Sequence, residues 1–292
     1  MSDRRVILAC TANPRYAFAL PIACRLWQRI GYEPIVMLVG NQIEWEGPGL
    51  ALAWSKLAKS EYWVLPIEGY NDSTVAQCAR LAGWMLAMPG EYVLTADADM
   101  WPLGSAYFRK ESGRGILNLF SWAAYAHEAK FKQPICYLGA SRETWEQICG
   151  AWATVTEGLT SILGACGYGV NDWDQWNWDE RWISRQIKVW AGFPDQCWNH
   201  PRGTGKGKEF WSGGPGSGVI GRIDRANWPT IADELPKRCI DAHLPTEPWA
   251  EQYWPSCSAI LATYAGDELA DWADEYRAAW MAADSRQPAE AG

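Results

Sequence analysis

One segment limits the folds open to this chain more than any other: Glu91-Tyr-Val-Leu-Thr-Ala-Asp97-Ala-Asp99-Met-Trp-Pro-Leu103. A short apolar strand over 92–95 runs straight into two aspartates spaced i, i+2. Side chains on extended backbone alternate faces, so Asp97 and Asp99 are expected to point the same way. Two carboxylates converging at the end of a buried strand are costly unless a cation sits between them. Hard divalent ions, Mn²⁺ or Mg²⁺, suit oxygen ligands and keep positions open for substrate phosphates. The strand end is therefore expected to open onto a ligand.

Around this segment, strand and helix signals alternate. Strands are expected over 6–10, 35–39 and 62–65, and helices over 15–30, 50–59 and 75–88. Pro14 and Gly31 frame the first helix, and Ser73 or Asp72 caps the third, which Pro89-Gly90 stops. Further strands are expected over 115–119, 134–138 and 189–193. A Ser-Arg-Glu-Thr capping pattern opens a helix over 141–152, and another helix spans 179–187. The Gly-, Asn-, Asp- and Trp-rich stretch 160–178 reads as a functional loop, 200–218 as a glycine-rich flap, and 224–228 as a short turn or helix. The fold class implied is α/β: a single Rossmann-like domain over 1–250, with a mostly parallel sheet flanked by helices. One or two helices over 251–284 would pack on it, and 285–292 would be a frayed tail. Ligands of such sheets bind beyond the carboxyl ends of the strands, where Asp97 and Asp99 lie.

Composition narrows the partners. The 292 residues carry 26 basic and 34 acidic side chains, a formal charge of −8. That balance argues against a broad basic surface for duplex DNA, while leaving room for a local basic groove. No stretch reaches the ~18 uninterrupted apolar residues of a spanning helix. The apolar run after Met1-Ser-Asp-Arg-Arg5 is too short for a signal peptide. Nine scattered cysteines, with no C-x-x-C pair, fit reduced thiols and a cytoplasmic location. Tryptophan is the outlier at 21 copies. Most are expected in the core, but Trp173, Trp176, Trp178 and Trp182 lie in polar surroundings and offer stacking platforms for sugars or bases.

Four further groups carry chemistry. Arg80, in Gln77-Cys-Ala-Arg80-Leu81, is either a solvated helix-face side chain or a brace for an aspartate or diphosphate, for which its planar fork is suited. His243, in Asp241-Ala-His243-Leu-Pro-Thr-Glu-Pro-Trp249, is either a turn residue or a neutral imidazole completing an Asp, Asp, His set for Mn²⁺. His127 and His200, the other two histidines, lack such contexts. The flap Arg202-Gly-Thr-Gly-Lys206-Gly-Lys208 lacks Walker A spacing, but its lysines offer charge to phosphates. Asp172, Asp174, Asp179 and Glu180 form an acidic cluster; Asp179 serves either as a helix cap or as a carboxylate near a developing positive centre.

The ordered set of Arg80, Asp97-Ala-Asp99, Tyr137-Leu-Gly139-Ala-Ser and His243-Leu-Pro-Thr-Glu-Pro-Trp resembles GT-A-fold glycosyltransferases, most closely the retaining family 8 type, over about residues 6–250. The resemblance implies Mn²⁺ (or Mg²⁺) held by Asp97, Asp99 and His243, and a nucleotide-sugar donor, UDP-linked. It implies further that Thr11, Asn13 and Tyr16 hold the base, that Arg80 and Asp97 lie near the donor, and that Gly139 lies beside its sugar. Asp179 and Glu180 would take the catalytic positions beneath the sugar. Two departures stand out. Glu247 occupies the position where the family carries a diphosphate-gripping lysine, leaving Lys206, Lys208 or Arg202 to substitute. Glu180 stands where the family has glutamine, which opens a nucleophilic or ion-pairing role.

The implied activity is metal-dependent transfer of a sugar to a hydroxyl acceptor such as a glycan. Three alternatives stay open. One is transfer to a hydroxymethylated base in DNA, against which the charge of −8 weighs. Another is nucleotidyl transfer, although Cys10-Thr-Ala-Asn-Pro-Arg15 lacks the expected glycines. The third is a non-catalytic carbohydrate-binding role.

Overall fold

The structure is a computed structural model, which describes residues 3–57, 61–109, 115–120, 133–166, 177–200, 221–223, 225, 228 and 239–284. Among the described residues, ten strands form two sheets. The larger contains β1 (Arg4–Thr11), β2 (Glu33–Val39), β3 (Glu61–Val64), β4 (Tyr92–Asp97), β6 (Leu117–Phe120), β7 (Leu138–Ser141) and β8 (Cys197–His200), in the order β3-β2-β1-β4-β7-β6-β8. The pairs β1–β2, β1–β4, β2–β3 and β6–β8 are parallel; β7 runs antiparallel to both β4 and β6. The smaller sheet joins β5 (Met100–Pro102), β9 (Gly221–Ile223) and β10 (Cys239–His243), with β10 in the middle. The chain builds β2 and β3 on one side of β1, then returns to place β4 on the other. Sheets with such a reversal usually bind their ligands in the crevice beyond the carboxyl ends of the two strands at the switch point, here β1 and β4.

Helices cover both faces. On one lie α1 (Pro14–Ala17), α2 (Ala19–Arg29), α3 (Pro48–Ser55), α9 (Trp254–Ala265) and α10 (Asp267–Asp284); on the other lie α4 (Asp72–Ala82), α6 (Arg142–Cys149), α7 (Val155–Cys166) and α8 (Trp178–Val189); α5 (Ser105–Phe108) follows β5. Strand alternation sorts the two cores. Val6, Leu8 and Cys10 of β1 and Tyr92, Leu94 and Ala96 of β4 enter the first; Ile7 and Val93 enter the second. Phe18 anchors the C-terminal helices by stacking on Tyr276 (5.2 Å) and meeting Trp249, Trp254 and Trp280 edge-on. Among the described residues, no helix is long and apolar enough to cross a membrane.

Several elements differ from expectation for identifiable reasons. The helix expected over 15–30 is two, α1 and α2, because Pro21 has no N–H for the carbonyl four residues back. The cap of α4 is Asn71, whose Oδ1 accepts from Thr74 N at 2.8 Å and also takes the Ser73 hydroxyl at 2.9 Å. Past Ala82 the chain tightens into a 3₁₀ turn, Gly83–Leu86, whose first residue packs so closely that a Cβ on it would lie 2.6 Å from Ile7. The strand expected over 134–138 is a 3₁₀ turn, Ile135–Tyr137, followed by β7. There the Thr95 hydroxyl donates to Ile135 O at 2.7 Å and accepts from Leu138 N at 3.1 Å, taking the place of strand pairing. The expected loop 160–178 begins as α7, which buries Val155, Leu159, Ile162 and Leu163 at helical spacing. Its Gly158 is a packing choice: a Cβ there would meet the Trp152 ring at 2.3 Å. No strand covers 189–193; Val189 ends α8 exposed, and the strand is β8. Trp178 and Trp182 are buried, against Tyr70 and Trp152 respectively, so they are core residues rather than stacking platforms.

Gly139 shows how closely β4 and β7 are fitted. It pairs with Leu94, and a Cβ built on it would come 2.0 Å from the Tyr92 hydroxyl. Gly139→Ala is expected to destabilise the protein by about 1–3 kcal/mol in urea unfolding. Tyr92→Phe in the same chain should recover part of the loss; no recovery would show that the hydroxyl is not the obstacle.

Candidate functional site

The site grows from the end of β4. Odd positions of β4 face the helix layer that holds α4, so Asp97, its last residue, faces that layer too. There Arg80, buried in the last turn of α4, reaches it through Nη1, while Arg80 Nη2 donates to Asp179 Oδ2 at 3.1 Å. Asp179 is buried in the first turn of α8 and also accepts from Glu180 N at 2.8 Å through Oδ1. One guanidinium thus bridges two carboxylates from different elements. Its place near a helix C-terminus, and that of Asp179 near a helix N-terminus, also suit the helix dipoles.

Asp99 takes a different course. Strand β4 stops at Asp97, and Ala98 and Asp99 form a turn before β5. The alternation expected of an extended Asp97-Ala-Asp99 therefore does not apply, and the two acids part company. Asp99 is brought to His243 by ladder register: Met100 pairs with His243 in the antiparallel β5–β10 pair, and Leu244 N donates to Asp99 O at 2.9 Å. His243 Nε2 stands 3.5 Å from Asp99 Oδ2, and Arg225 Nη2 binds that same oxygen. Arg225 Nε donates to Leu244 O at 3.0 Å. Burial acts to raise the Asp99 carboxyl, but the hydrogen bond and charge of His243, then Arg225 and Arg15, outweigh it and bring the pKa down to about 2.

Beneath His243 lies a second buried pair. Arg222 on β9 grips Asp241 on β10, with Nε 3.1 Å from each carboxylate oxygen and Nη2 2.8 Å from Oδ2; Nη2 also lies 3.2 Å from Met100 Sδ. This bidentate fork ties all three strands of the small sheet at the level of the Asp99–His243 contact.

Of the residues expected to hold a ligand, Thr11 ends β1 and Tyr16 lies close enough to Asp99 for the acid, after burial, to push its hydroxyl pKa up. Asn13 is committed to capping α1, accepting from Arg15 N at 3.0 Å. Gly139 sits inside the sheet rather than at the crevice, and the Tyr92 hydroxyl accounts for its lack of a side chain. Glu180 follows Asp179 in α8, and its carbonyl accepts from Ser184 Oγ at 2.5 Å. His200 is a strand residue, 2.7 Å from Asn118 Oδ1 through Nε2. Arg202, Lys206, Lys208, Asp172, Asp174, Trp173, Trp176 and His127 lie outside the described residues. Arg225, Arg15, Arg222 and Asp241 are the members that motif reasoning missed. Arg225 has no local pattern to mark it, whereas Asp241 stood two residues before His243 on the same strand face.

The donor chemistry suits a divalent ion in part. An acid oxygen and an imidazole nitrogen converge at Asp99 and His243, as such ions accept. Asp97 faces Arg80 instead, and no group of three metal-ligating side chains forms among the described residues.

No protein-family model matches the chain, and no curated protein does. Among solved structures, the glycosyltransferase GlyE of Streptococcus pneumoniae TIGR4 aligns over 100% of this chain and 66% of its own, at 12% identity and a TM-score of 0.45. The galactosyltransferase LgtC, in complex with donor and acceptor sugar analogues, aligns over 94% of this chain and 99% of its own, at 12% identity and a TM-score of 0.46. A Drosophila galactosyltransferase 7 mutant, in complex with manganese, UDP-Gal and xylobiose, aligns over 67% of this chain and 64% of its own at 12% identity, with a TM-score of 0.34. The chain thus spans just under two thirds of the length of GlyE. Overlap at this level carries no assignment, and the chemistry is read from the site's own residues.

Two outcomes follow. Removing Arg80 leaves two carboxylates without their shared cation, so Arg80→Met is expected to cost about 3–5 kcal/mol in chemical unfolding. A loss below ~1 kcal/mol would show that water already neutralises the pair. Asp99 is held below its ordinary 3.8 in the fold. Its contribution, about 2 kcal/mol, is present above the unfolded value and lost as pH falls from about 4 through about 2. Unfolding measured from pH 5 to pH 2 should therefore be less steep in Asp99→Asn; identical slopes would remove Asp99 from the account.

Proposed function

We propose that this protein is a metal-assisted glycosyltransferase that takes a nucleotide-sugar, UDP-linked, and delivers the sugar to a hydroxyl of a glycan acceptor. The observation that carries the proposal is the meeting of Asp99 and His243. One lies in the turn just past the strand beside a sheet switch point, the other comes from β10 late in the chain, and strand register brings them together. A carboxylate and an imidazole at the mouth of such a crevice are a donor pair for Mn²⁺ or Mg²⁺.

In this proposal Asp99 and His243 hold the ion, which, when bound, supplies Lewis-acid neutralisation of a leaving diphosphate. Asp97 joins only if its carboxylate leaves Arg80. Arg80 fixes Asp179 at the start of α8, which would set the orientation of Asp179 and Glu180. Thr11 at the end of β1 and Tyr16 in α1 would line the side where the base lies. Arg15 and Arg225 add positive charge near Asp99, which favours a diphosphate there. The family 8 type resemblance favours retention of configuration, with Glu180 as the unusual member in place of glutamine.

The test is thermal unfolding with a panel of nucleotide-sugars, each with Mn²⁺ and with EDTA. A ligand bound only by the folded state raises the melting temperature by mass action. A shift with a UDP-sugar is expected, abolished by EDTA and by Asp99→Ala. Full transfer by Asp99→Ala in the presence of chelator would rule out the metal role. Shifts with free sugars alone, and with no donor, would favour a carbohydrate-binding protein.

A further inference from the structure

Arg225 occupies the position on Asp99 that a bound cation would take. Its Nη2 lies on Asp99 Oδ2, the oxygen that His243 Nε2 approaches to 3.5 Å. A second contact, Nε to Leu244 O at 3.0 Å, holds the guanidinium in place. Yet the side chain is not sealed in: it keeps 28% of its surface exposed, and it lines a cavity of about 220 Å³ together with Pro245, Thr246, Glu247, Gln252 and Tyr253.

A divalent ion seated between Asp99 and His243 would need the lone pairs of Oδ2 that Arg225 now uses. It would also place two positive charges beside a guanidinium, which cannot shed its own. The cavity offers a way out, because Arg225 can swing into it, toward the carboxylate of Glu247. Glu247 is also the residue that stands where the family resemblance leads one to expect a lysine.

We propose that Arg225 is an exchangeable internal cation: it holds Asp99 until a divalent ion takes the carboxylate, and it then turns into the neighbouring cavity. This rests on the reading of Asp99 and His243 as a metal pair. Arg225 would thus be a positioning residue that keeps a buried acid compensated before the ion arrives, and it would weaken the apparent affinity for the ion in doing so.

The experiment is calorimetric titration of Mn²⁺ alone, without nucleotide, into the full chain and into Arg225→Gln, Arg225→Lys and Asp99→Asn, with circular dichroism and melting temperature checking each fold. Arg225→Gln is expected to bind Mn²⁺ about tenfold more tightly than the parent, a change of ~1.4 kcal/mol. Arg225→Lys keeps the charge and is expected to stay within about threefold of the parent, and Asp99→Asn to lose the site. Equal affinity in the parent and Arg225→Gln would overturn the exchange while leaving the metal pair standing. Equal tightening by Gln and Lys would also overturn it, since the effect would then come from lost packing rather than charge. If neither the parent nor Arg225→Gln binds Mn²⁺, the metal pair itself fails, and the exchange with it.

Discussion

Charge compensation at the end of β4 is the constraint on which the rest of the site depends. Two aspartates two residues apart cannot be left bare at the edge of a packed sheet, because an uncompensated buried carboxylate costs more than most single contacts return. The fold meets this by giving each acid its own arginine. Asp97 faces Arg80 across the α4 layer, and Asp99 faces Arg225 beside the small sheet. Each arginine in turn ties down another element: Arg80 holds α8 through Asp179, and Arg225 holds the turn after β10 through Leu244 O. The acids thereby organise their own surroundings, and the crevice at the switch point inherits a framework of paired charges.

That framework links packing to chemistry. The small sheet is short, and three strands of three to five residues bury little by themselves. Its register is nonetheless well defined, since the Arg222–Asp241 fork and the Met100–His243 pairing both act on β10. A slip of one residue would turn His243 to the opposite face and leave Asp241 without its arginine. The geometry that brings an imidazole to Asp99 is thus set by a strand register and a buried ion pair.

Much of this architecture was legible in the chain. The unbroken apolar runs 6–10 and 35–39 become β1 and β2, buried on both faces, with alternate residues in the two cores. Departures occurred where a side chain competed with the backbone or where a glycine misled. The Thr95 hydroxyl took backbone bonds that a strand over 134–137 would have made. Gly158 makes room for Trp152 inside the helix that runs on into the expected loop 160–178. Gly139, read as a mark of the donor site, makes room for Tyr92. Local pattern identifies a small residue but not the neighbour that requires it.

The sequence by itself determined that an apolar strand ends in two acids spaced i, i+2, and that a helix carrying Arg80 precedes it. Those are local facts, written in spacing, apolar periodicity and residue type. Only the tertiary structure decided which cation each acid meets. A single turn at Ala98 and Asp99 sends the second acid away from the first, and the β5–β10 ladder then hands it to His243 and Arg225. Such pairings depend on contacts between residues more than a hundred positions apart, where backbone direction and strand register, rather than sequence spacing, fix the distance between charges.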